Sequence, residues 1–256
     1  MKEPSKSPDT NMKILFYNIG YGTCLNGSWR HYFLKLWRYL WTPVFNVKTI
    51  SKGLKHIDAD VVCLAEVDTG SIRNRFFNQA QRMAKWLNTP YYSSAPKYHP
   101  DSLFKYIPIA RKQHDAILSK KPGKKIKHYL NHGTKKLVQE FVVDNISIFT
   151  VHLGLLRRKL REFQLKELEQ LLKKCPRPFV LCGDFNIFKG LGEIDSFIED
   201  TGATLVDIPA SFPSFKPDKH LDLFITSPDL EIMEAGVIPI QSSDHLPVWV
   251  EIGKKR

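Results

Sequence analysis

The chain has 256 residues, enough for one or two domains, and its 43% hydrophobic and 25% charged residues match a globular protein. That much apolar surface offsets the entropy of ordering, so chain-wide disorder is excluded. Thirty-eight Lys and Arg against 26 Asp and Glu leave +12, which favours anionic partners: nucleic acid, phosphorylated molecules or an acidic membrane face.

Residues 1–11 are polar, contain two prolines and read as a flexible tail; they lack the apolar segment of a secretory signal. No run reaches the ~20 apolar residues of a membrane-spanning helix, so a cytoplasmic location and a monomer are the default expectations. Lys13–Asn18 predicts a strand. Val47, Ile50, Leu54 and Ile57 recur at helical spacing and predict an amphipathic helix over 46–58. The apolar run 61–65 reads as a buried strand with Cys63 in the core. None of the four cysteines, Cys24, Cys63, Cys175 and Cys182, forms a C-x-x-C pair, which argues against a zinc ribbon or a thioredoxin-type site. A helix is expected over about 77–88, stopped by Thr89-Pro90, and a strand over His114–Ser119. Lys135–Val143 and Ile146–Val151 flank Asp144-Asn145, a hairpin signal. The longest predicted helix, about 156–174, carries Leu156, Leu160, Phe163, Leu168, Leu171 and Leu172 largely on one side and stops at Pro176 and Pro178, before a strand over Phe179–Cys182. Leu221–Thr226, Ile232–Ile240 and Val248–Ile252 complete a strand-rich C-terminal part. Strands and helices interleave, yet the hairpin demands antiparallel pairing, so the fold class is α/β with mixed sheets.

One segment breaks this rhythm. Residues 29–45 hold seven aromatics, Trp29, Tyr32, Phe33, Trp37, Tyr39, Trp41 and Phe45, interleaved with Arg30, Lys35 and Arg38. It reads either as a helix or lid packed on the body, or as an interfacial helix that lies on a membrane or grips a substrate.

Polar residues collect at the ends of the predicted strands: Asn18, Glu66, His152, Asp184 with Asn186, Asp222, and Asp244 with His245. Each alone has an ordinary explanation as a turn or capping residue. Together they offer hard oxygen ligands suited to Mg²⁺ or Mn²⁺ rather than zinc, and two histidines suited to proton transfer and phosphate-oxygen binding.

The blocks Phe16-Tyr17-Asn18-Ile19, Leu64-Ala65-Glu66-Val67, His114 to Ser119, Val151-His152-Leu153, Gly183-Asp184-Phe185-Asn186, His220 to Ile225 and Ser243-Asp244-His245-Leu246-Pro247 occur in the order seen in the endonuclease/exonuclease/phosphatase, or deoxyribonuclease I-like, superfamily. The chain resembles that superfamily over nearly its whole length. The resemblance implies two mixed β-sheets packed face to face with helices on the outside, a four-layer sandwich. Residues 12–256 would be a single catalytic domain carrying 29–45 as an aromatic and basic insertion. It further implies that Glu66 is the main Mg²⁺ (or Mn²⁺) ligand, with Asn18 and Asp244 beside it. Asp184 would align or deprotonate the attacking water, and Asn186 would hold a phosphate oxygen. His245 would be the catalytic histidine, oriented by Asp222, and His152 a second histidine that contacts phosphate or helps the leaving group. Arg73 is a candidate phosphate contact, with a solvated arginine as the alternative. Two positions depart from the family pattern: Ala65 stands where Gln is usual, and His114-Asp115 where Gly-Asn is usual. Asp115 either orients His152 or is a local adjustment.

The function this implies is hydrolysis of a phosphodiester by metal-assisted in-line attack of water. The reading leans toward a nuclease, whose substrate backbone the positive charge would hold. The alternative is a lipid-headgroup phosphodiesterase or phosphatase, of sphingomyelin or phosphoinositide type, acting at a membrane surface through 29–45. A non-catalytic binding protein on the same fold is the remote alternative.

Overall fold

The computed structural model describes residues 11–176 and 178–255. The first strand, β1 (Met12–Asn18), shows how the layers arise. Successive strand side chains point to opposite faces. Ile14 and Phe16 therefore enter a core that also holds Phe141, Ile148, Val180 and Phe224, while Leu15 and Tyr17 enter a second core with Val47, Ile50 and Met83. A strand buried on both faces lies in the middle of a layered protein.

The remaining strands are β2 (Val61–Asp68), β3 (Tyr91–Pro96), β4 (Gln113–Ser119), β5 (Lys124–Tyr129), β6 (Leu137–Val143), β7 (Ile146–His152), β8 (Phe179–Asp184), β9 (Thr204–Leu205), β10 (Asp222–Thr226), β11 (Leu230–Val237) and β12 (Val248–Lys254). They form two six-stranded sheets, ordered β11-β12-β1-β2-β4-β3 and β5-β6-β7-β8-β10-β9. Each sheet has one parallel pair at its centre, β1–β2 and β7–β8, and is otherwise antiparallel. The helices are α1 (Trp29–Lys35), α2 (Val44–Leu54), α3 (Gln79–Trp86), α4 (Arg158–Lys173) and α5 (Asp195–Thr201). α2 and α3 cover one outer face through Val47, Ile50 and Met83; α4 and α5 cover the other through Leu165, Leu168 and Phe197. The expected four-layer sandwich is what the chain forms.

Several boundaries differ from the sequence reading for local reasons. The 46–58 helix begins earlier, at Val44 behind Pro43, and ends at Leu54 with a single 3₁₀ turn beyond. The edge strands β3 and β5 escaped prediction: both are largely exposed or half-buried and carry no clean apolar alternation. In β5 the run of lysines suits an edge, where charge discourages pairing with another chain. β2 continues past the predicted stop at 65, because a bulge between Leu64 and Val67 re-aims the strand instead of ending it.

In 29–45, α1 is followed by one 3₁₀ turn, Leu36–Tyr39, and the described aromatic and aliphatic side chains at 29, 33, 34, 37, 40, 41 and 45 are exposed. These described side chains are not packed on the body, as those of a lid would be. Among the described residues no helix is long and apolar enough to cross a membrane.

Candidate active site at the ends of the central strands

Strand register builds the centre of the site. His152, the last residue of β7, lies opposite Asp184, the last residue of β8, and Asp184 lies opposite Asp222, the first of β10. Three chemically active side chains thus stand abreast on neighbouring strands. The glycine before Asp184 permits this, since a Cβ on Gly183 would lie 2.1 Å from the Val151 carbonyl oxygen of β7.

Asp184 is the hub. Its Oδ2 lies 3.2 Å from His152 Nε2 and 3.7 Å from His245 Nε2, and accepts a 3.1 Å hydrogen bond from Asn18 Nδ2 at the end of β1. Its Oδ1 accepts the backbone N–H of Asn186 at 3.0 Å. Asn186 takes a left-handed backbone at φ 53°, which asparagine tolerates, and its side-chain amide donates to the Leu153 carbonyl. His245 Nδ1 lies 2.7 Å from Asp222 Oδ2, and the same oxygen accepts the Ser211 hydroxyl.

Glu66 comes from the bulge in β2. Its backbone sits in the left-handed region at φ 55°, and its N–H donates to Asp115 Oδ1 at 3.1 Å. A non-glycine residue there is strained, and such strain collects where a side chain must be aimed. Asp115 therefore holds the bulge; His152 Nδ1 has no hydrogen-bond partner among the described residues, so the departure at 114–115 braces the backbone and does not orient that ring. Glu66 Oε1 accepts a 2.7 Å bond from Lys97 Nζ and lies 4.0 Å from His152 Nδ1.

Arg73 does not face the site. It is buried, and its guanidinium grips Asp68 Oδ2 through Nε at 3.0 Å and Nη2 at 2.7 Å. It also lies 4.4 Å over the Tyr21 ring, whose hydroxyl accepts from Lys97 at 2.8 Å. The expected phosphate contact is thus a brace, at the far end of a chain from Asp68 through Tyr21 and Lys97 to Glu66. The contacts of Asp244 place it beside His245, with Ser243 Oγ donating to it at 3.1 Å.

Two lysines belong to the site that the sequence reading did not single out. Lys97 is buried against Glu66, and Lys135 Nζ bonds His152 Nε2. Nothing in local sequence separates these two from the other basic residues; only the fold brings them inward.

The charges set the protonation states. Burial would raise the Asp184 carboxyl, but His152, His245 and Lys135 outweigh it and hold it well below the usual carboxylate range. Burial likewise opposes ionisation of Glu66, yet Lys97, His152 and Lys135 bring it from 4.5 to about 2. His245 is the reverse: burial would lower it, and Asp222, Asp184 and Asp244 raise it from 6.5 to about 10. His152 is pushed down by burial, then by Lys135 and Lys97, with Asp184 opposing. Burial and Lys97 lower Lys135 to about 8. One histidine is thus held cationic and the other neutral, on either side of an ionised aspartate.

A hard divalent cation fits on the Glu66 side. The carboxylate stays ionised, its side chain keeps 21% of its exposure, and Oε2 accepts no bond among the described residues. Asn18 Oδ1 accepts only the Gly20 N–H at 3.1 Å and keeps a lone pair. Asp184, Asp222 and His245 also converge closely enough to hold an ion. There, however, His245 is held protonated on both ring nitrogens by Asp222 and Asp184 and offers no lone pair to a cation, so that group reads as a hydrogen-bonded relay.

Comparisons with known proteins agree with this geometry. No curated protein sequence matches the chain. Among solved structures, an endonuclease/exonuclease/phosphatase from Beutenbergia cavernae aligns with a TM-score of 0.70 at 16% identity, over 95% of this chain and 72% of that one. A mannosyl-6-phosphatase from Bacteroides thetaiotaomicron aligns at 0.64 and 15%, over 94% and 99%. Beta toxin from Staphylococcus aureus aligns at 0.63 and 18%, over 95% and 100%. Identities this low establish a shared fold. The sequence model of the endonuclease/exonuclease/phosphatase family matches residues 44–245, a span that contains Glu66, His152, Asp184, Asn186, Asp222 and His245, and the chain therefore belongs to that family of phosphoester hydrolases.

Proposed function

We propose that the protein hydrolyses a phosphodiester with a divalent cation, Mg²⁺ or Mn²⁺, held by Glu66 with Asn18 nearby. The observation that carries this reading is the placement of ionised Asp184 between His152 and His245, with His245 backed by Asp222. When bound, the cation supplies neutralisation of the charge that builds on the phosphoryl oxygens.

The chain's own groups supply the rest. Asp184 is too weakly basic to take a proton efficiently from water, so it accepts a hydrogen bond from the attacking water and fixes its line of approach. This chooses alignment over deprotonation for its role. His245 carries its proton on the Nε2 side facing Asp184 and donates it toward a phosphoryl oxygen. Asp222 fixes the ring and stabilises the imidazolium. Lys135, bonded to His152, would supply the donor that a leaving oxygen needs, and this pairing supports that role for His152. Asn186 keeps its loop in the conformation that brings its backbone N–H to Asp184.

Hydrolysis of bis(p-nitrophenyl) phosphate with and without Mg²⁺ tests the proposal, with Asp184→Asn as the control. Full turnover in excess EDTA would overturn it. Net charge of +12 supports a nucleic acid and an anionic lipid equally. The outward apolar side chains of 29–45 favour the lipid, because nucleic acid leaves the aliphatic Leu34 and Leu40 in water. A panel of DNA, RNA, sphingomyelin, phosphoinositides and nucleotides on one preparation separates the two.

A further inference from the structure

Segment 29–45 turns large apolar side chains to the surface. A surface helix ordinarily turns its apolar stripe to the core, as α2 does with Val47, Ile50 and Leu54. Here Trp29, Phe33, Leu40 and Phe45 are 73%, 83%, 72% and 73% exposed. The neighbouring turn adds to the same face: Phe76 is 75% exposed, held out by consecutive left-handed residues, Arg75 at φ 56° and Phe76 at φ 62°. The two pieces are joined, with the Thr42 N–H donating to the Arg73 carbonyl at 2.9 Å and Arg75 lying 4.3 Å over the Trp41 ring. The surface is also tied to the end of β1 that carries Asn18: Arg38 donates to the Thr23 carbonyl at 3.2 Å, and Asn46 to the Gly22 carbonyl at 2.8 Å.

Charge identifies the occupant. From Ile19 to Ile57, and again from Thr69 to Pro100, the sequence contains no Asp or Glu, while Arg30, Lys48, Lys52 and Arg75 are exposed. The partner must offer negative charge and an apolar interior together. Nucleic acid meets the first need, and unpaired bases would stack on the aromatics, but it leaves the aliphatic Leu34 and Leu40 in water. A second copy pairing through this face would meet its own positive charge. An anionic bilayer meets both, with headgroups for the arginines and the acyl boundary for Phe33, Leu34 and Phe45.

We propose that residues 29–45 and the 72–76 turn dock the protein on an anionic phospholipid bilayer and set the mouth of the active site against the headgroups. Docking stands apart from hydrolysis; only the consequence that a headgroup phosphoester is the substrate rests on the function proposed above.

The test is co-sedimentation of the full chain with phosphatidylcholine vesicles, with and without about 30% phosphatidylserine, at low and high salt. The expected result is binding that requires phosphatidylserine and weakens with salt. The triple variant Phe33→Ser/Leu34→Ser/Phe45→Ser should lose at least tenfold in partitioning. Its melting temperature and its turnover of bis(p-nitrophenyl) phosphate should not change, because the altered side chains are exposed and lie outside the catalytic set. Absence of phosphatidylserine-dependent binding would overturn the proposal, as would a variant that binds like the parent. A fall in melting temperature that parallels the loss of binding would mean a packed structural role. A parent dimer in light scattering that the variant dissolves would assign the face to self-association. Loss of DNA binding in the variant, with no vesicle binding in the parent, would assign it to nucleic acid. Vesicle binding by a protein without diester turnover would uphold docking while the proposed function fell.

Discussion

Replacing Asp222 by Asn tests the part of the site that keeps His245 an acid. His245 Nδ1 lies 2.7 Å from Asp222 Oδ2, and both groups are buried. Burial alone would depress the imidazole, and three carboxylates, Asp222 foremost, instead raise it from 6.5 to about 10. At ~1.4 kcal/mol per pH unit, that rise is a preference of roughly 5 kcal/mol for the imidazolium. Breaking a buried charge pair costs ~3–5 kcal/mol, so Asp222→Asn should remove more than half of that preference and leave His245 titrating at about 6.5–8. A group whose folded-state pKa is raised contributes stability that is fully present below its unfolded value and is lost as pH rises through the folded one. The stability advantage of the parent over Asp222→Asn should therefore be full below pH 6.5 and fade as pH approaches 10. Denaturant unfolding across that range measures it, and an NMR titration of the His245 ring measures its cause. The alkaline limb of the pH–rate profile should move down with the ring. His245 still titrating near 10 in the variant would refute the argument. So would additive losses in Asp222→Asn/His245→Ala, because a residue that acts through His245 has little left to lose once the ring is gone.

Asp184→Asn should lower turnover of bis(p-nitrophenyl) phosphate by roughly 10²-fold or more with an unchanged circular dichroism spectrum, since positioning and acid–base groups contribute ~10²–10⁴. Excess EDTA should abolish turnover; Mg²⁺ or Mn²⁺ should restore it, and Zn²⁺ should not outperform them, because the donors near Glu66 are hard oxygens. Arg73→Ala should destabilise the protein by ~3–5 kcal/mol in denaturant unfolding, because it leaves the Asp68 carboxylate buried without its charge partner. A loss below ~1 kcal/mol would show that Arg73 is not the brace described here.

Much of the fold is legible in periodicity. The apolar spacing of 46–58 and the runs at 61–65 and 179–182 bury a continuous face, and burial is what hydropathy records; of the 156–174 stripe, Leu168 and Leu172 are buried, while Phe163 is exposed and Leu156 lies exposed ahead of the helix, which begins at Arg158. The edge strands β3 and β5 lack that record, since ladder hydrogen bonds rather than a buried face hold them. Sequence order likewise carried Glu66, His152, Asp184, Asn186, Asp222 and His245 as a set, because the first, second, third and fifth sit at the end or bulge of a recognisable strand and Asn186 and His245 in the short loops that adjoin β8 and β12. Lys97, Lys135 and the true place of Arg73 belong to tertiary structure alone. A lysine reads the same in sequence whether it points to water or to a buried carboxylate. Only the packing of β3 beside β4, and of the loop before β6 beside β7, turned these two inward. The aromatic segment is the converse case. Composition marked 29–45 as unusual, but direction is a property of the fold, and the outward turn of Phe33 and Phe45 is what sets the proposed docking surface apart from a lid that packs on the protein.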